Sequence, residues 1–235
     1  MNYKENIDKL LNRCFTMNSV QNNDERFNAY INSIMYLNKN NILKLDYESI
    51  LNIINNSILK NEYLNILATF KYELLINSDV HGIDHVVRTS FYALIISIVE
   101  KLDIQEFRIV LECILYHDIG RVNDTDDDLH GYNSSLKINF LKEKYSEEDL
   151  KYIKALMTGH SLDDYKYIEL ANKYSLKDII KYKKLLNIVK DADALDRVRE
   201  YPYTDIKYLR TDISKSLICF AYELFVSYQV NKYSR

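Results

Sequence analysis

A histidine and an aspartate stand side by side at the end of an apolar run, in the stretch ILYHDIGR. Burying the side chains of His117 and Asp118 is costly unless a partner replaces the water that they lose. A divalent transition metal would be such a partner, because imidazole nitrogens and carboxylate oxygens both bind these ions. The chemistry of the pair therefore depends on whether further imidazoles and carboxylates converge on it.

Further histidines and aspartates lie on helix faces that are expected to point into one interior. His81, His85 and Arg88 share a face if their segment is helical, since they are four and three residues apart. His160 follows the apolar stripe of its own segment, and Asp193 lies in the segment KDADALD. Metal coordination is the common way to stabilise such a buried cluster of imidazole and carboxylate groups.

The elements that must position these residues are predicted to be helices. The chain has one proline, its apolar residues recur at spacings of three and four, and no alternating run is flanked by hairpin turns. All four glycines lie within two residues of a histidine or of the His117–Asp118 pair, which indicates that helix ends approach one another closely. The sequence predicts an all-α protein with helices near 3–16, 24–38, 46–59, 61–76, 84–101, 104–118, 133–143, 147–158, 176–199 and 212–231.

Composition limits the remaining possibilities. With 235 residues, 47% of them hydrophobic, the chain can bury a large core, and its net charge of -3 lacks the basic footprint of an extended nucleic-acid surface. Three cysteines without a CxxC pair favour neither a thiolate zinc site nor a disulfide framework. No signal-peptide pattern or membrane-length apolar run is evident, so we expect a cytoplasmic protein without a membrane partner.

The domain organisation is predicted from where the chemically informative residues lie. They all follow residue 60, which predicts an N-terminal helical segment over 1–60 and the main domain over 61–235. The N-terminal helices could bind a protein partner, cap the site or mediate homo-oligomerisation.

The chain resembles the HD superfamily of metal-dependent phosphohydrolases through HGIDHVVRTS, LYHDIGR and KDADALDRV, in that order. The resemblance covers about residues 61–200 and implies an HD-domain helical bundle. The metal ligands that it implies are His85, His117, Asp118 and Asp193. Asp191 and Asp196 are close enough to compete for the last position, and the family places its ligand at the middle aspartate, Asp193.

Two further motifs, LHGYNSS and TGHS, resemble the places where binuclear members of that family add ligands. The resemblance implies that His130 and His160 contact a second ion. The gap from Asp118 to His130 is short compared with many binuclear members, and with one ion both histidines would face the phosphate or the leaving group instead. The implied cofactor is one or two divalent transition-metal ions, drawn from Mn, Fe, Co, Ni and Zn.

The resemblance also implies catalytic roles. Asp118 would hold the metal and orient the attacking water, and His130 or His81 could protonate the leaving oxygen. Arg88 lies three residues after the first ligand and either touches phosphate or is a structural ion-pair partner, as Arg197 could be. His81 is otherwise expected beside the ligands or facing the substrate.

The function that follows is hydrolysis of a phosphoester or phosphoanhydride of a small phosphorylated substrate, with a nucleotide as the first expectation. Three alternatives stay open. They are a diiron oxygenase of the HD type, a non-catalytic nucleotide-binding regulatory module, and a plain helical interaction protein.

Overall fold

The computed structural model of the protein describes residues 24–200 and 205–233. Over this part of the chain all regular structure is helical, which confirms the predicted all-α class. Short 3-10 turns lie at Tyr72–Leu74, Asn139–Glu143, Asp164–Lys166, Asp196–Glu200 and Ile206–Tyr208. The α-helices are α1 (Asp24–Lys39), α2 (Tyr47–Asn55), α3 (Leu59–Leu67), α4 (Ile83–Val99), α5 (Ile104–Tyr116), α6 (His130–Leu136), α7 (Glu147–His160), α8 (Tyr167–Lys173), α9 (Ile179–Leu195) and α10 (Asp212–Tyr233).

In the first half of the chain, one predicted helix cannot be compared with the structure and another is shorter than predicted. The helix predicted over 3–16 lies outside the described residues. The helix predicted over 61–76 is shorter, because α3 ends at Leu67. Beyond it, the backbone N–H of Lys71 donates to the hydroxyl of Tyr116 at 3.1 Å. A tertiary hydrogen bond thus replaces the helical one there.

Helix ends also differ in the second half. α6 begins at His130, three residues before the predicted start at 133, and α9 ends at Leu195 before a 3-10 turn. α8 was not predicted, because a helix of seven residues is too short to display a clear apolar stripe.

α4 is the central helix of the molecule. Its residues from Arg88 to Ser97 are all buried, and it packs against α5 and α9. α7 packs on α5, α6 and α9, whereas α10 contacts α1 and α9. The buried side chains form one hydrophobic cluster that extends from Ala29 in α1 to Val226 in α10. This cluster holds in place the helix ends that carry the candidate site.

The starts of α5, α7 and α9 are fixed by side-chain caps. The Asp103 carboxylate accepts from the Glu106 N–H at 2.8 Å, and the Glu106 carboxylate accepts in return from the Asp103 N–H at 3.3 Å. Ser146 and Asp178 cap α7 and α9 through their side-chain oxygens. Each such cap contributes roughly 0.5–2 kcal/mol to stability. All three helices carry candidate ligands at their opposite, C-terminal ends.

The segment before residue 60 packs on the later helices. The Tyr30 hydroxyl donates to Glu223 in α10 at 2.8 Å, and Lys44 forms an ion pair with the same carboxylate at 3.1 Å. Ile50 and Ile54 belong to the common hydrophobic cluster. The boundary near residue 60 stays a prediction. None of the described helices is long and apolar enough to cross a bilayer.

Candidate metal centre

Five helices deliver the predicted ligands to one place. Each ligand lies in a terminal turn of a helix or directly beyond the helix end. His85 lies in the first turn of α4 and His130 in the first turn of α6. His117 and Asp118 directly follow α5. His160 lies in the last turn of α7 and Asp193 in the last turn of α9.

Two glycines allow these helix ends to approach closely. A Cβ atom on Gly120 would lie 2.3 Å from the carbonyl oxygen of His130, and one on Gly131 would lie 2.2 Å from the carbonyl oxygen of Met157. Both distances are far below van der Waals contact, so any larger residue would push α6 away from α5 or α7. For Gly120 and Gly131, the position beside the histidines of the sequence has this packing reason.

The first group of ligand atoms, called cluster 1, consists of His85, His117, Asp193 and the Oδ2 atom of Asp118. The His85 Nε2 lies 3.2 Å from the His117 Nε2 and 3.3 Å from the Asp193 Oδ1. The Asp118 Oδ2 lies 3.3 Å from the His117 Nε2 and 3.7 Å from the His85 Nε2. Two ligands of one ion, each about 2.0–2.2 Å from it, are at most about 4.4 Å apart, so these atoms could hold a single ion.

The second group, called cluster 2, consists of His130, His160 and the Oδ1 atom of Asp118. The two Nε2 atoms lie 2.9 Å apart, and the Asp118 Oδ1 lies 3.3 Å from His130 and 4.0 Å from His160. These distances also satisfy the limit for one ion. Asp118 therefore presents one carboxylate oxygen to each cluster. The short spacing from Asp118 to His130 does not keep His130 away from the site.

The protonation of the imidazoles gives the clearest sign that a cation belongs here. Each ring places its Nδ1 against an oxygen, and a carbonyl oxygen can only accept, so Nδ1 carries the proton. In a neutral ring Nε2 is then a bare acceptor, and acceptors 2.9–3.2 Å apart repel unless a proton or a metal ion lies between them. The Nδ1 partners are Asp196 Oδ2 for His85, and the carbonyl oxygens of Ile114, Asp127 and Met157 for His117, His130 and His160.

The charges of the site also favour a bound positive charge. Burial disfavours a charged His117, but the carboxylates of Asp118 and Asp193 together outweigh burial and raise the pKa of His117 to about 9, so that in the metal-free protein a proton on its Nε2 can take the place of a metal ion. Burial and the neighbouring imidazoles lower the pKa of His160 to about 3. The imidazole of His117 also holds the pKa of Asp118 well below its usual range, against the effect of burial. Ionised carboxylates thus remain in the interior and attract a positive charge.

The structure separates the three aspartates that compete at the end of α9. The Asp191 carboxylate accepts hydrogen bonds from the backbone N–H groups of Arg210 and Thr211, and so joins α9 to the start of α10. The Asp196 carboxylate accepts from His85 Nδ1 at 2.8 Å. Asp193 alone among the three places an oxygen beside the His85 Nε2.

Arg88 does not reach the same space. Its guanidinium is buried and donates twice to Asp196, at 2.6 and 2.9 Å. Asp196 in turn orients His85. The geometry therefore favours the ion-pair alternative for Arg88 over contact with phosphate.

A cleft of about 1220 Å³ opens onto both clusters. His81 lines it and binds the Asp124 carboxylate through Nδ1 at 2.9 Å, while burial lowers the pKa of this histidine. Arg197 also lines the cleft and is exposed. The remaining lining includes the acidic residues Asp126, Asp127, Asp128, Asp163 and Asp164, and the basic residues Lys190, Arg199 and Arg210.

One site residue was missed by sequence reasoning. Arg121 lies at the end of the HDIGR stretch and donates from Nε to the Asp118 Oδ1 at 2.9 Å. Its position three residues after Asp118 was the available signal, since residues at that spacing can share a helical face.

Fold and site together define an all-α protein with a largely buried centre in which His85, His117, His160, Asp118 and Asp193 could hold metal ions, and His130 lies beside them. No family model matches the chain, and no match was found among curated proteins or solved structures.

Proposed function

We propose that the protein is a metal-dependent phosphohydrolase of the HD type. Its substrate would be a small phosphorylated molecule, with a nucleotide as the first candidate, cleaved at a phosphoester or phosphoanhydride bond. The observation that carries the proposal is the set of facing Nε2 atoms, which are held in place by hydrogen bonds from Nδ1 and border an open cleft. The order of the motifs in the sequence adds support.

The donor set favours Mn, Fe, Co, Ni or Zn over Ca, because it combines imidazole nitrogens with few carboxylates and no thiolate. A bound ion of this kind supplies Lewis acidity and lowers the pKa of a bound water from 15.7 toward about 7. Asp118 is suited to a two-ion arrangement, because its two oxygens face different clusters.

The residues of the cleft have separate tasks in this proposal. His130 faces Asp118 and His160 and therefore acts as a ligand rather than as an acid. His81 is then the imidazole that can move a proton to the leaving oxygen, with Asp124 orienting its ring. Arg197 supplies positive charge at the cleft to attract the phosphate.

A second candidate function is an oxygenase of the diiron HD type. The observation that favours it is the shared carboxylate, since six nitrogen and oxygen ligands in two adjoining clusters suit a pair of iron ions equally well. Bound iron together with oxygen-dependent turnover would distinguish it.

The test is a screen of purified protein, loaded with each metal in turn, against nucleotides and generic phosphoesters, in air and without oxygen. We expect phosphate release that needs metal, does not need oxygen and is lost in His117→Ala. Hydrolysis by metal-free protein would contradict the proposal. Turnover that requires iron and oxygen would replace it with the second candidate, and metal binding without turnover would favour a regulatory module.

A further inference from the structure

We propose that Arg121 weakens binding of an ion at cluster 2, so that cluster 1 fills first and the number of bound ions is set by this side chain. The inference rests on the proposed metal centre and concerns how that centre is loaded.

The guanidinium of Arg121 lies against cluster 2. Its Nε donates to the Asp118 Oδ1 at 2.9 Å, and one of its terminal nitrogens lies 3.4 Å from the His130 Nε2. Its other terminal nitrogen donates to the Thr125 carbonyl oxygen at 3.3 Å, which fixes the orientation of the group. The side chain is largely buried, with 11% of its surface exposed. Arg121 therefore forms part of the cleft wall, where three contacts hold its guanidinium in place.

Arg121 and a metal ion would compete directly for the His130 Nε2. The Nδ1 of His130 donates its proton to the Asp127 carbonyl oxygen, so in the neutral ring Nε2 has one lone pair and no proton. That lone pair can accept from Arg121 or bind an ion, and it cannot do both. The Asp118 Oδ1 has room for two partners, but its negative charge is shared between them.

Among the described residues, no arginine or lysine side chain lies against the Nε2 atoms of cluster 1, where an ion has only a proton on His117 to displace. Within residues 24–200 and 205–233, the hydrogen-bond and ion-pair partners of the His85 and His117 Nε2 atoms are each other and the carboxylates of Asp118 and Asp193. Arg88 acts on the far side of His85, where it binds Asp196, and Asp196 fixes the proton on Nδ1. Arg88 thus helps to orient His85, a ligand of cluster 1, through Asp196. Arg121 instead contacts His130, a ligand of cluster 2, directly.

An ion at cluster 2 must displace the guanidinium from His130 and then lie close to a second positive charge. For charges about 4 Å apart the repulsion is large enough to weaken binding by at least about tenfold, even where water screens it. We therefore expect the charge of Arg121 to weaken ion binding at cluster 2 by at least about tenfold.

The experiment is a calorimetric titration of the full-length, metal-stripped protein with Mn²⁺, followed in parallel by electron paramagnetic resonance, which separates isolated from coupled Mn²⁺ pairs. Arg121→Gln removes the charge, and Arg121→Lys keeps it. Arg108→Gln is the matched control, because Arg108 forms its ion pair with Glu62 away from the site.

We expect one tight and one weak Mn²⁺ in the wild-type protein and in Arg108→Gln. In Arg121→Gln the second ion should tighten by about tenfold or more, and coupled pairs should appear at lower Mn²⁺ concentration. Arg121→Lys should stay closer to the wild type. Circular dichroism checks the fold, and Arg121→Ala replaces Arg121→Gln if that variant loses helicity.

Equal affinities for both ions in the wild type, or an unchanged second affinity in Arg121→Gln, would overturn the inference while leaving the proposed hydrolase intact. Absence of any Mn²⁺ binding in the wild type and every variant would instead remove the metal centre itself, and the inference with it.

Discussion

Cluster 1 and cluster 2 share Asp118 but are built differently. The ligands of cluster 1 come from α4, α5 and α9, which are long helices of the core, and the His85 side chain is 0% exposed. Cluster 2 depends on α6, a helix of seven residues, and on the end of α7, and both of its histidines line the cleft. Long core helices therefore hold cluster 1, whereas cluster 2 depends on the short helix α6, and both clusters open onto the cleft, cluster 1 through Asp193 with 23% of its side chain exposed.

The largest effect is expected at the residue that the clusters share. Asp118→Ala removes a ligand from both, so metal content and hydrolysis should collapse together, with the rate falling by more than about 10⁴-fold. His117→Ala should act similarly through cluster 1. Elemental analysis and phosphate release measure both losses, and circular dichroism should show retained helicity. The control is Asp126→Ala, an exposed aspartate of the same cleft. Turnover that survives in both ligand variants would refute the assignment.

A substitution of Arg88 tests whether buried core residues hold the ligands of cluster 1 in place. Arg88→Met leaves the buried Asp196 carboxylate without its main partner and should lower the free energy of unfolding by about 3–5 kcal/mol. Despite burial, Arg88 lowers the pKa of Asp196 from 3.8 to about 2, so the stabilisation is present above about pH 4 and is lost as the pH falls toward 2. Urea unfolding at several pH values measures this. An unchanged stability with a raised KM would instead favour contact between Arg88 and phosphate.

Substitutions of His130 and His160 test whether cluster 2 binds an ion of its own. His160→Ala should lower the metal content by about one ion per chain and reduce the rate by orders of magnitude, while cluster 1 keeps its ion. His130→Ala should act in the same direction. If only one ion binds, the metal content should hold and the rate should fall by roughly 10²–10⁴-fold, as for a missing acid–base group. Full metal content and full activity in both variants would place these histidines outside the site.

The smallest expected effects separate two aspartates of α9: Asp193, the candidate metal ligand, and Asp191, which joins α9 to the start of α10. Asp191→Asn weakens the acceptor for the Arg210 and Thr211 N–H groups and should cost about 1–3 kcal/mol of stability without changing the metal content. Asp193→Asn should do the reverse, lowering metal affinity with little change in stability. Paired thermal unfolding and metal titration of the two variants make the measurement. The opposite pattern would exchange the roles of the two aspartates.

Much of this architecture could be predicted from the sequence, because the apolar residues of long amphipathic helices such as α5 and α7 recur at a clear helical spacing. The order of the motifs also anticipated the six side chains that the structure brings together. The same local pattern could not separate Asp191, Asp193 and Asp196, since only the packing of α9 and the turn after it against α4 and α10 decides which carboxylate lies beside the His85 Nε2. The contact of Arg121 with His130 depends on the path of the loop between them, which no periodicity describes.

The most direct test of the account is the metal content of the wild-type protein, purified without chelator and measured by elemental analysis. The convergence of four imidazoles and two carboxylates predicts about one or two transition-metal ions per chain, removable by chelation together with phosphate release. Protein that binds no such ion under these conditions, or that hydrolyses phosphoesters equally well without one, would contradict it.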